Sequence, residues 1–214
     1  MISWKPLIVK IYVKSATAVA KKGGHSATGR RRLTDMDEDA FDEMGWPRPN
    51  GFQAAIFAAC VLAFWLWALT DADGYLGILD TFNLLVHEAG HVVFRPFGHT
   101  LYFMGGSLLQ CIMPAAFCVS FWRTRQPAGF AVSGIWLGEN FLNVARYVAD
   151  AREMALPLIG GQHDWNTLLG GTFLLRYCRV LGGALTLLGW ITMIASAAWY
   201  VRLYWRGRQR METS

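Results

Sequence analysis

The residues most capable of chemistry in this sequence form the pattern His-Glu-x-x-His, at His87, Glu88 and His91. Side chains four residues apart lie on the same face of an α-helix, so both imidazoles can bind one metal ion. The carboxylate of Glu88, next to the first histidine, can then reach a water molecule at that ion. Zinc commonly takes histidine ligands in tetrahedral sites and keeps one position open for water when three protein groups bind. The pattern therefore predicts a Zn2+ site in which Glu88 is the catalytic carboxylate.

This pattern lies in an apolar stretch, which makes its ionisable residues informative. The composition of the chain gives roughly 0.003 chance occurrences of His-Glu-x-x-His over its whole length. An ionisable side chain at the centre of a bilayer costs on the order of 2 to 3 kcal/mol unless it is paired or bound to metal. The alternative is a pair of core histidines satisfied by hydrogen bonds beside an incidental glutamate. We favour the metal site.

A catalytic zinc site needs a third protein ligand, and the sequence offers few candidates. Asp80 shares the helical stripe of His87 and His91, but a full turn or more separates it from them. His163 and Asp164 follow a glycine pair and precede a short apolar run, so either can lie at the start of a helix that projects into the bundle. We favour Asp164, and His163 is the alternative because imidazole is the commoner zinc ligand.

A second polar stripe runs along a later apolar segment, with members 4, 3 and 4 positions apart: Glu139, Asn143, Arg146 and Asp150. Such a stripe is expected to face protein or water rather than lipid, and its natural partner is the stripe of the histidines. Glu139 and Asp150 are candidates for the third zinc ligand or for hydrogen-bond partners of a ligating histidine. The alternative is a clamp between helices in which one of these carboxylates pairs with Arg146.

Two glycine pairs suggest places where helices come close. Gly134 and Gly138 form a Gly-x-x-x-Gly pattern, which predicts a tight helix-packing face. Gly105 and Gly106 come near the start of another apolar segment. They predict either an extended stretch close to the metal or the beginning of a helix.

Five apolar segments must position these residues, and each approaches the ~20 residues needed to cross a bilayer as a helix. They comprise residues 51–70, 74–94, 100–122, 130–144 and 180–201. The region between the last two, residues 150–179, is mixed in character and is predicted to form a loop with a re-entrant or interfacial helix. The expected fold is an all-α, multipass transmembrane helix bundle of four to five spans with a re-entrant segment.

Arginines precede and follow this bundle in the sequence. Arg48 lies before the first segment, and four arginines lie after the last: Arg202, Arg206, Arg208 and Arg210. The positive-inside rule puts such residues in the cytoplasm, whereas five full spans would separate the two ends of the chain. One segment is thus expected not to cross. If the second segment enters the membrane and returns, Arg123 and Arg125 also become cytoplasmic.

The composition agrees with a membrane protein: 54% of residues are hydrophobic, 16% are charged, and the mean hydropathy is +0.27. The net charge of +5 does not indicate nucleic acid, because eight Lys or Arg and no acid fall in residues 1–34, ahead of six acids in residues 35–43. We expect a disordered basic and acidic arm over residues 1–50, the bundle over 51–206 and a tail over 207–214.

With these features the chain resembles the site-two protease family of intramembrane zinc metalloproteases, through His87-Glu88-Ala-Gly-His91 in an apolar helix and the later acidic residue Asp164. It also looks like a group of bacterial multipass proteins that share HEAGH, GGS and HDW motifs. The resemblance covers roughly residues 74–175. It implies that His87 and His91 are zinc ligands, that Glu88 is the catalytic carboxylate and that Asp164 is the third ligand.

The resulting hypothesis is a membrane-embedded zinc metallopeptidase, in which Glu88 acts as general base on a zinc-activated water and membrane proteins or peptides are the substrates. The expected location is a bacterial plasma membrane, with the lipid bilayer as partner. The alternative is a metal-binding membrane protein without catalysis: a sensor, a transporter or a degenerate protease scaffold.

Overall fold

The computed structural model describes residues 45–70, 77–158 and 161–213, and every regular element in these ranges is helical, which confirms the all-α prediction. Two 3-10 helices, Arg95–Phe97 and Phe173–Tyr177, lie directly before the third and the last α-helix. The α-helices are α1 (Gly51–Thr70), α2 (Ile78–Phe94), α3 (His99–Arg123), α4 (Pro127–Asp150), α5 (Asp164–Leu169) and α6 (Cys178–Thr213).

The C-terminal end of the bundle extends further than predicted. Helix α6 has 36 residues and continues to Thr213, so residues 207–213 prolong a helix instead of forming a tail. The side chain of Arg48 packs against Gly207 in this part of the helix. A Cβ on Gly207 would lie only 3.0 Å from Cδ of Arg48.

The N-terminal boundary also differs, because residues 45–50 pack on the bundle instead of belonging to an arm. The indole of Trp46 is buried, and its ring centroid lies 5.2 Å from Trp122 and 4.9 Å from Trp199. One large aromatic side chain can hold such a polar stretch in place. The rest of the predicted arm, residues 1–44, lies outside the described residues.

Helices α4 and α6 pack closely through small residues, which confirms the prediction for the Gly-x-x-x-Gly pattern. A Cβ on Gly138 would lie 2.7 Å from the carbonyl oxygen of Gly189, and Gly134 faces Ser196 in the same way. Close approach of this kind leaves no room for a side chain. Next to it, α1 joins α4 and α6 in a core of five buried residues: Phe57, Ala131, Ile135, Met193 and Tyr200.

Helices α2 and α3 approach each other just as closely, and this contact positions the histidines. A Cβ on Gly90 would lie 2.7 Å from the carbonyl carbon of Gly105 and 2.8 Å from Cα of Gly106. Both predictions for this glycine pair were wrong, since the pair lies inside α3, neither at its start nor in an extended stretch. Its small size lets the backbone of α3 pass directly beside α2.

Contacts between helix ends show which ends lie together. Trp46 contacts Trp122 and Trp199, so the start of α1, the turn between α3 and α4 and the later part of α6 share one end of the bundle. The guanidinium of Arg125 stacks over the Trp46 ring at 5.3 Å in the same place. We call this the arginine-rich end, after Arg48, Arg123, Arg125, Arg202, Arg206 and Arg208.

Helix α2 begins and ends away from the arginine-rich end. Helix α1 runs antiparallel to α6, with the rings of Phe57 and Tyr200 4.0 Å apart, so it leads away from that end. Gly77, just before α2, lies against Trp67 near the finish of α1. Phe94, the last residue of α2, packs on Gly105 in the early turns of α3.

Within the described part of the chain, two helical stretches are long and apolar enough to cross a membrane, His99–Arg123 and Phe173–Gln209. In the most apolar part of each stretch, only 33% of the residues of the first and 17% of those of the second are buried inside the protein. An apolar helix in the core of a water-soluble domain would be largely buried, so the low values favour contact with lipid. A shorter apolar helix covers Gly51–Trp67.

Candidate metal centre

Three buried side chains converge where α2 meets the start of α5. Oδ2 of Asp164 lies 2.9 Å from Nε2 of His87 and 3.2 Å from Nε2 of His91. The three ligand atoms all lie within 4.8 Å of one another, and all three residues are at most 9% exposed. The structure thus brings together the ligand set that the sequence favoured, and this group can hold a metal ion.

The far side of each imidazole contacts an oxygen atom of α3. Nδ1 of His91 lies 2.8 Å from the carbonyl oxygen of Tyr102, and Nδ1 of His87 lies 3.2 Å from Oε1 of Gln110. Both oxygens can accept a hydrogen bond from Nδ1. Nε2 of each ring points toward Asp164, and it is the ring nitrogen that is left to bind a metal ion.

The donor set fits a zinc ion. Nε2 of His87, Nε2 of His91 and Oδ2 of Asp164 face one another. Imidazole nitrogen and carboxylate oxygen are both common zinc ligands. Ligand atoms around tetrahedral zinc are about 3.3 Å apart for metal–ligand bonds of about 2.0 to 2.1 Å. The spacings of 2.9 and 3.2 Å are close to that value.

Gly106 of α3 leaves the space in which the His87 ring lies. A Cβ at this position would be 2.6 Å from both Cδ2 and Cε1 of the imidazole, too close for any side chain. The tight packing of α2 on α3 therefore also determines where the His87 side chain can point.

Asp164 is presented by the short helix α5, which begins at this residue. His163 caps the helix, because its Nδ1 accepts a hydrogen bond from the backbone N–H of Asn166 at 3.2 Å. Nε2 of the same ring lies 3.3 Å from Oδ2 of Asp150. The backbone N–H of Asp164 donates to the hydroxyl of Tyr147 at 3.0 Å. His163 and Asp150, both considered as ligands, thus hold the segment that carries Asp164.

Glu88 lies at the edge of this group and is half-buried. Its carboxylate makes neither a hydrogen bond nor an ion pair with any residue in the described ranges. The carboxylates of Glu88 and Asp164 both act electrostatically on the hydroxyl of Tyr147, so Glu88 is close to the ligand cluster. A carboxylate with no internal partner beside a cation site is available to exchange protons with a bound molecule.

The two polar stripes face each other, as the sequence predicted. Nδ2 of Asn143 donates to Oδ1 of Asp80 at 2.7 Å, and Nδ2 of Asn83 donates to Oε2 of Glu139 at 2.7 Å. The indole N–H of Trp136 completes the second pair by donating to Oδ1 of Asn83 at 2.9 Å. These bonds join α2 to α4 through amide donors matched with carboxylate acceptors.

The polar stripe of α4 forms the clamp between helices that was the alternative prediction. Its arginine, however, pairs with a carboxylate that the prediction did not name. Arg146 Nη2 lies 3.7 Å from Oδ2 of Asp80, whereas the prediction paired Arg146 with Glu139 or Asp150. Glu139 contacts Asn83 and does not belong to the three-ligand cluster. The difference arises because a stripe on one helix gives no information on which residue of the other helix lies opposite.

Sequence reasoning missed the groups that orient the ligands. No role in the site was predicted for Tyr147 from the sequence, yet its hydroxyl accepts a hydrogen bond from the backbone N–H of Asp164. Its position four residues after Asn143, on the polar stripe, is a signal that could have suggested a role in the site. Gln110 follows Gly106 by four residues and so lies on the same face of α3, but only the fold shows that this face meets His87.

Comparison of the chain with protein-family models, with curated proteins and with solved structures found no match.

Proposed function

We propose that the protein is a membrane-embedded zinc metallopeptidase that hydrolyses peptide bonds of membrane-associated substrates. One observation carries the proposal: Nε2 of His87, Nε2 of His91 and the Asp164 carboxylate converge beside Glu88, whose carboxylate makes no hydrogen bond or ion pair with any residue that the structure describes. His87, His91 and Asp164 would hold the ion. A bound zinc ion supplies Lewis acidity, which activates water near neutral pH and polarises a peptide carbonyl.

The residues of the chain would then divide the remaining work. Glu88 accepts a proton from the attacking water and returns it to the nitrogen of the departing amine. Gln110 and the Tyr102 carbonyl would accept hydrogen bonds from Nδ1 of the two imidazoles, so that Nε2 of each ring faces the ion. Tyr147 holds the backbone of Asp164, so that the third ligand needs little rearrangement when the ion binds.

We further propose that the chain crosses the membrane four times, by α1, α3, α4 and α6. This arrangement puts all the arginines of the arginine-rich end on one side, as the positive-inside rule requires. Helix α2 would pack within the bundle without crossing the membrane, because both of its ends lie away from that side. The two polar stripes would then meet within the bundle, where hydrogen bonds between them avoid exposing charge to lipid.

The first test is the zinc content of purified protein in detergent, measured by atomic emission. We expect one zinc ion per chain in the wild type and a large loss in His87→Ala and Asp164→Ala. His99→Ala is the matched control, since this histidine is exposed and does not belong to the three-residue cluster. A wild-type protein without stoichiometric zinc would refute the proposal.

The second test separates catalysis from metal binding. Glu88→Gln should retain wild-type zinc, because Glu88 is not among the three ligands, yet lose about 10²- to 10⁴-fold in cleavage rate. The assay uses membrane-anchored reporter proteins reconstituted with the enzyme in proteoliposomes. Cleavage by Glu88→Gln at the wild-type rate would rule out the general-base role.

The same proteoliposomes test the alternative, a metal-binding protein that transports or senses the ion. Transport requires free ligands that lead away from the metal site, whereas Asp80 and Glu139 are already bound by the amides of Asn143 and Asn83. We therefore expect no zinc flux. Flux without cleavage would favour the transporter, and bound zinc with neither activity would favour a sensor or a scaffold.

A further inference from the structure

We propose that the protein binds the phosphate group of an anionic phospholipid in an open pocket where α4 ends and α6 begins. The pocket has a volume of about 340 Å³, and five residues line it: Arg152, Thr172, Phe173, Leu175 and Arg176. Small-molecule sites usually have volumes of roughly 300 to 1,000 Å³. We call it the two-arginine pocket. The inference rests on the proposed membrane-spanning arrangement, but on neither zinc nor peptide cleavage.

The two arginines of this pocket carry charge that the described part of the chain leaves unbalanced. Neither Arg152 nor Arg176 forms a hydrogen bond or an ion pair there, and no carboxylate lines the pocket. The carboxylates closest in sequence to Arg152 are engaged elsewhere, since Asp150 accepts from two backbone N–H groups of the following loop and Glu153 pairs with Arg179. Two guanidinium groups at one small pocket match the oxygens of a phosphate group.

Aromatic rings and a helix cap hold Arg176 in place. Its guanidinium carbon lies 4.8 Å from the ring centroid of Tyr177 and 5.9 Å from that of Phe173. Stacking uses the face of the guanidinium and leaves the N–H groups along its edge free to donate. Oγ1 of Thr172 accepts a hydrogen bond from the backbone N–H of Leu174 at 3.1 Å and so fixes the start of this 3-10 helix. The cationic group is therefore preorganised for an anion.

The two-arginine pocket lies at the level expected for lipid headgroups. Residues 180–201 of α6 carry no charge and approximate the ~20 residues that cross a bilayer. Arg176 lies four positions before this stretch, and Arg152 lies two positions after the last residue of α4. Long cationic side chains at the ends of membrane spans extend into the headgroup region. The phosphate group abundant at this level belongs to phospholipid.

Apolar side chains beside the two-arginine pocket offer a surface for acyl chains. Phe173 is 68% exposed and Val180 is 67% exposed, while Leu175 forms part of the pocket wall. A phospholipid can place hydrocarbon on this surface, whereas a free phosphate ion gains nothing from it. A headgroup with an ammonium group would bring a second cation toward the two arginines. An anionic headgroup therefore fits better than that of phosphatidylcholine.

Native mass spectrometry of the protein in detergent, titrated with phosphatidylglycerol or phosphatidylcholine, tests the site. The wild type should bind the first phosphatidylglycerol more tightly than phosphatidylcholine. Arg152→Gln and Arg176→Gln should each lower the affinity for phosphatidylglycerol about fivefold, and the double variant roughly 25-fold. Arg179→Gln is the matched control, because it removes the same charge nearby from an arginine that is paired with Glu153 and does not line the pocket.

Three results of this titration would overturn the inference. The first is equal binding of the two lipids by the wild type, and the second is unchanged affinity in the double glutamine variant. The third is a loss in Arg179→Gln as large as that in Arg176→Gln, which would indicate general surface charge. Both pocket arginines are exposed, so the variants should fold. Lysine at both positions keeps the charges and should bind phosphatidylglycerol more tightly than glutamine at both.

Thermal unfolding in detergent separates phospholipid from free phosphate as the ligand. Because a ligand of the folded state stabilises it, phosphatidylglycerol should raise the Tm of the wild type, and the same concentration of inorganic phosphate should not. The double glutamine variant should respond to neither. Equal stabilisation by inorganic phosphate, or an equal response of the variant to phosphatidylglycerol, would overturn the inference. Neither measurement involves zinc or cleavage, so a failure here is distinguishable from a failure of the proposed metallopeptidase.

Discussion

At the metal centre, each ligand is held by a second hydrogen bond that involves its own side chain or backbone. His87 is held by Gln110, His91 by a backbone carbonyl and Asp164 by the hydroxyl of Tyr147. Such bonds reduce the conformational freedom that the ligands lose when they bind an ion. Residues that never touch the metal should therefore influence its affinity.

Gln110→Leu tests whether a residue that does not touch the metal influences its affinity, because Gln110 contacts the side chain of His87. Leucine has a similar size but offers no acceptor for Nδ1 of His87, so we expect zinc affinity to fall about 10- to 100-fold. Competition with a fluorescent chelator measures the change. Gln110→Glu keeps an acceptor and should bind more tightly than the leucine variant, and Gln162→Leu at an exposed site should have no effect. Equal affinity of Gln110→Leu and wild type would contradict the role.

Gly106→Ala tests the space beside the same imidazole. A methyl group there would lie 2.6 Å from two carbons of the His87 ring, so the ring must turn and carry Nε2 away from Asp164. We expect the variant to fold but to lose most of its zinc. Gly183→Ala is the matched control, because a Cβ there meets nothing within 4 Å and alanine favours the helix by up to about 1 kcal/mol. Full zinc occupancy in Gly106→Ala would show that the ring is not confined.

Only part of this arrangement could be predicted from the residues themselves. The spacing of His87 and His91 fixes their common face within one helix, so both could be named before any fold was known. Asp164 lies 77 positions from His87 along the chain, and nothing local distinguishes it from His163. The choice depends on which side chain the cap of α5 directs toward α2, and that is a property of the tertiary structure.

At the level of elements, the short helix α5 turns one loop residue into a ligand. Its six residues are too few to be stable alone, so its capping and its anchors decide whether it forms. His163 supplies the cap, and Asp150 at the end of α4 orients the His163 ring. The helix thereby couples the position of Asp164 to the end of α4.

His163→Ala should therefore weaken zinc binding although His163 is not a ligand. Loss of a helix cap costs about 1 kcal/mol, which corresponds to roughly fivefold in affinity if the metal must restore the helix. His163→Asn retains an acceptor for the N–H of Asn166 and should recover most of the loss. Calorimetric titration with zinc measures both variants. A loss in His163→Asn as severe as that in His87→Ala would instead identify His163 as a ligand.

The helical elements were easier to predict than their partners. Apolar segments located α1 to α4 and α6 because uninterrupted apolar length and helical spacing are local features. The amide and carboxylate pairs between α2 and α4 could be expected only in general terms, as two polar stripes in contact. Which atoms meet depends on the crossing of the helices, so Asp80 became the partner of Arg146 without any sign in the sequence.

For the whole molecule, exposed apolar side chains argue for lipid as the surrounding medium. On α6, Leu187 is 63% exposed and Ile191 is 53% exposed. Only 17% of the residues in the most apolar part of this helix are buried. A water-soluble monomer rarely exposes a continuous apolar surface of this kind. A bilayer covers it without requiring another protein.

Ile191→Arg distinguishes lipid from water as the surroundings of α6, because the free-energy cost of an exposed arginine differs between the two. At the centre of a membrane helix an arginine costs on the order of 2 to 3 kcal/mol, whereas an exposed position in water changes stability by about 0.5 kcal/mol or less. We therefore expect Ile191→Arg to lower the folded, carbonate-resistant fraction of the protein in membranes. Val201→Arg, also exposed but next to Arg202 at the arginine-rich end, should insert normally. Recovery of Ile191→Arg as a stable protein in the soluble fraction would contradict a membrane-spanning α6, and with it the four-span arrangement proposed for the bundle.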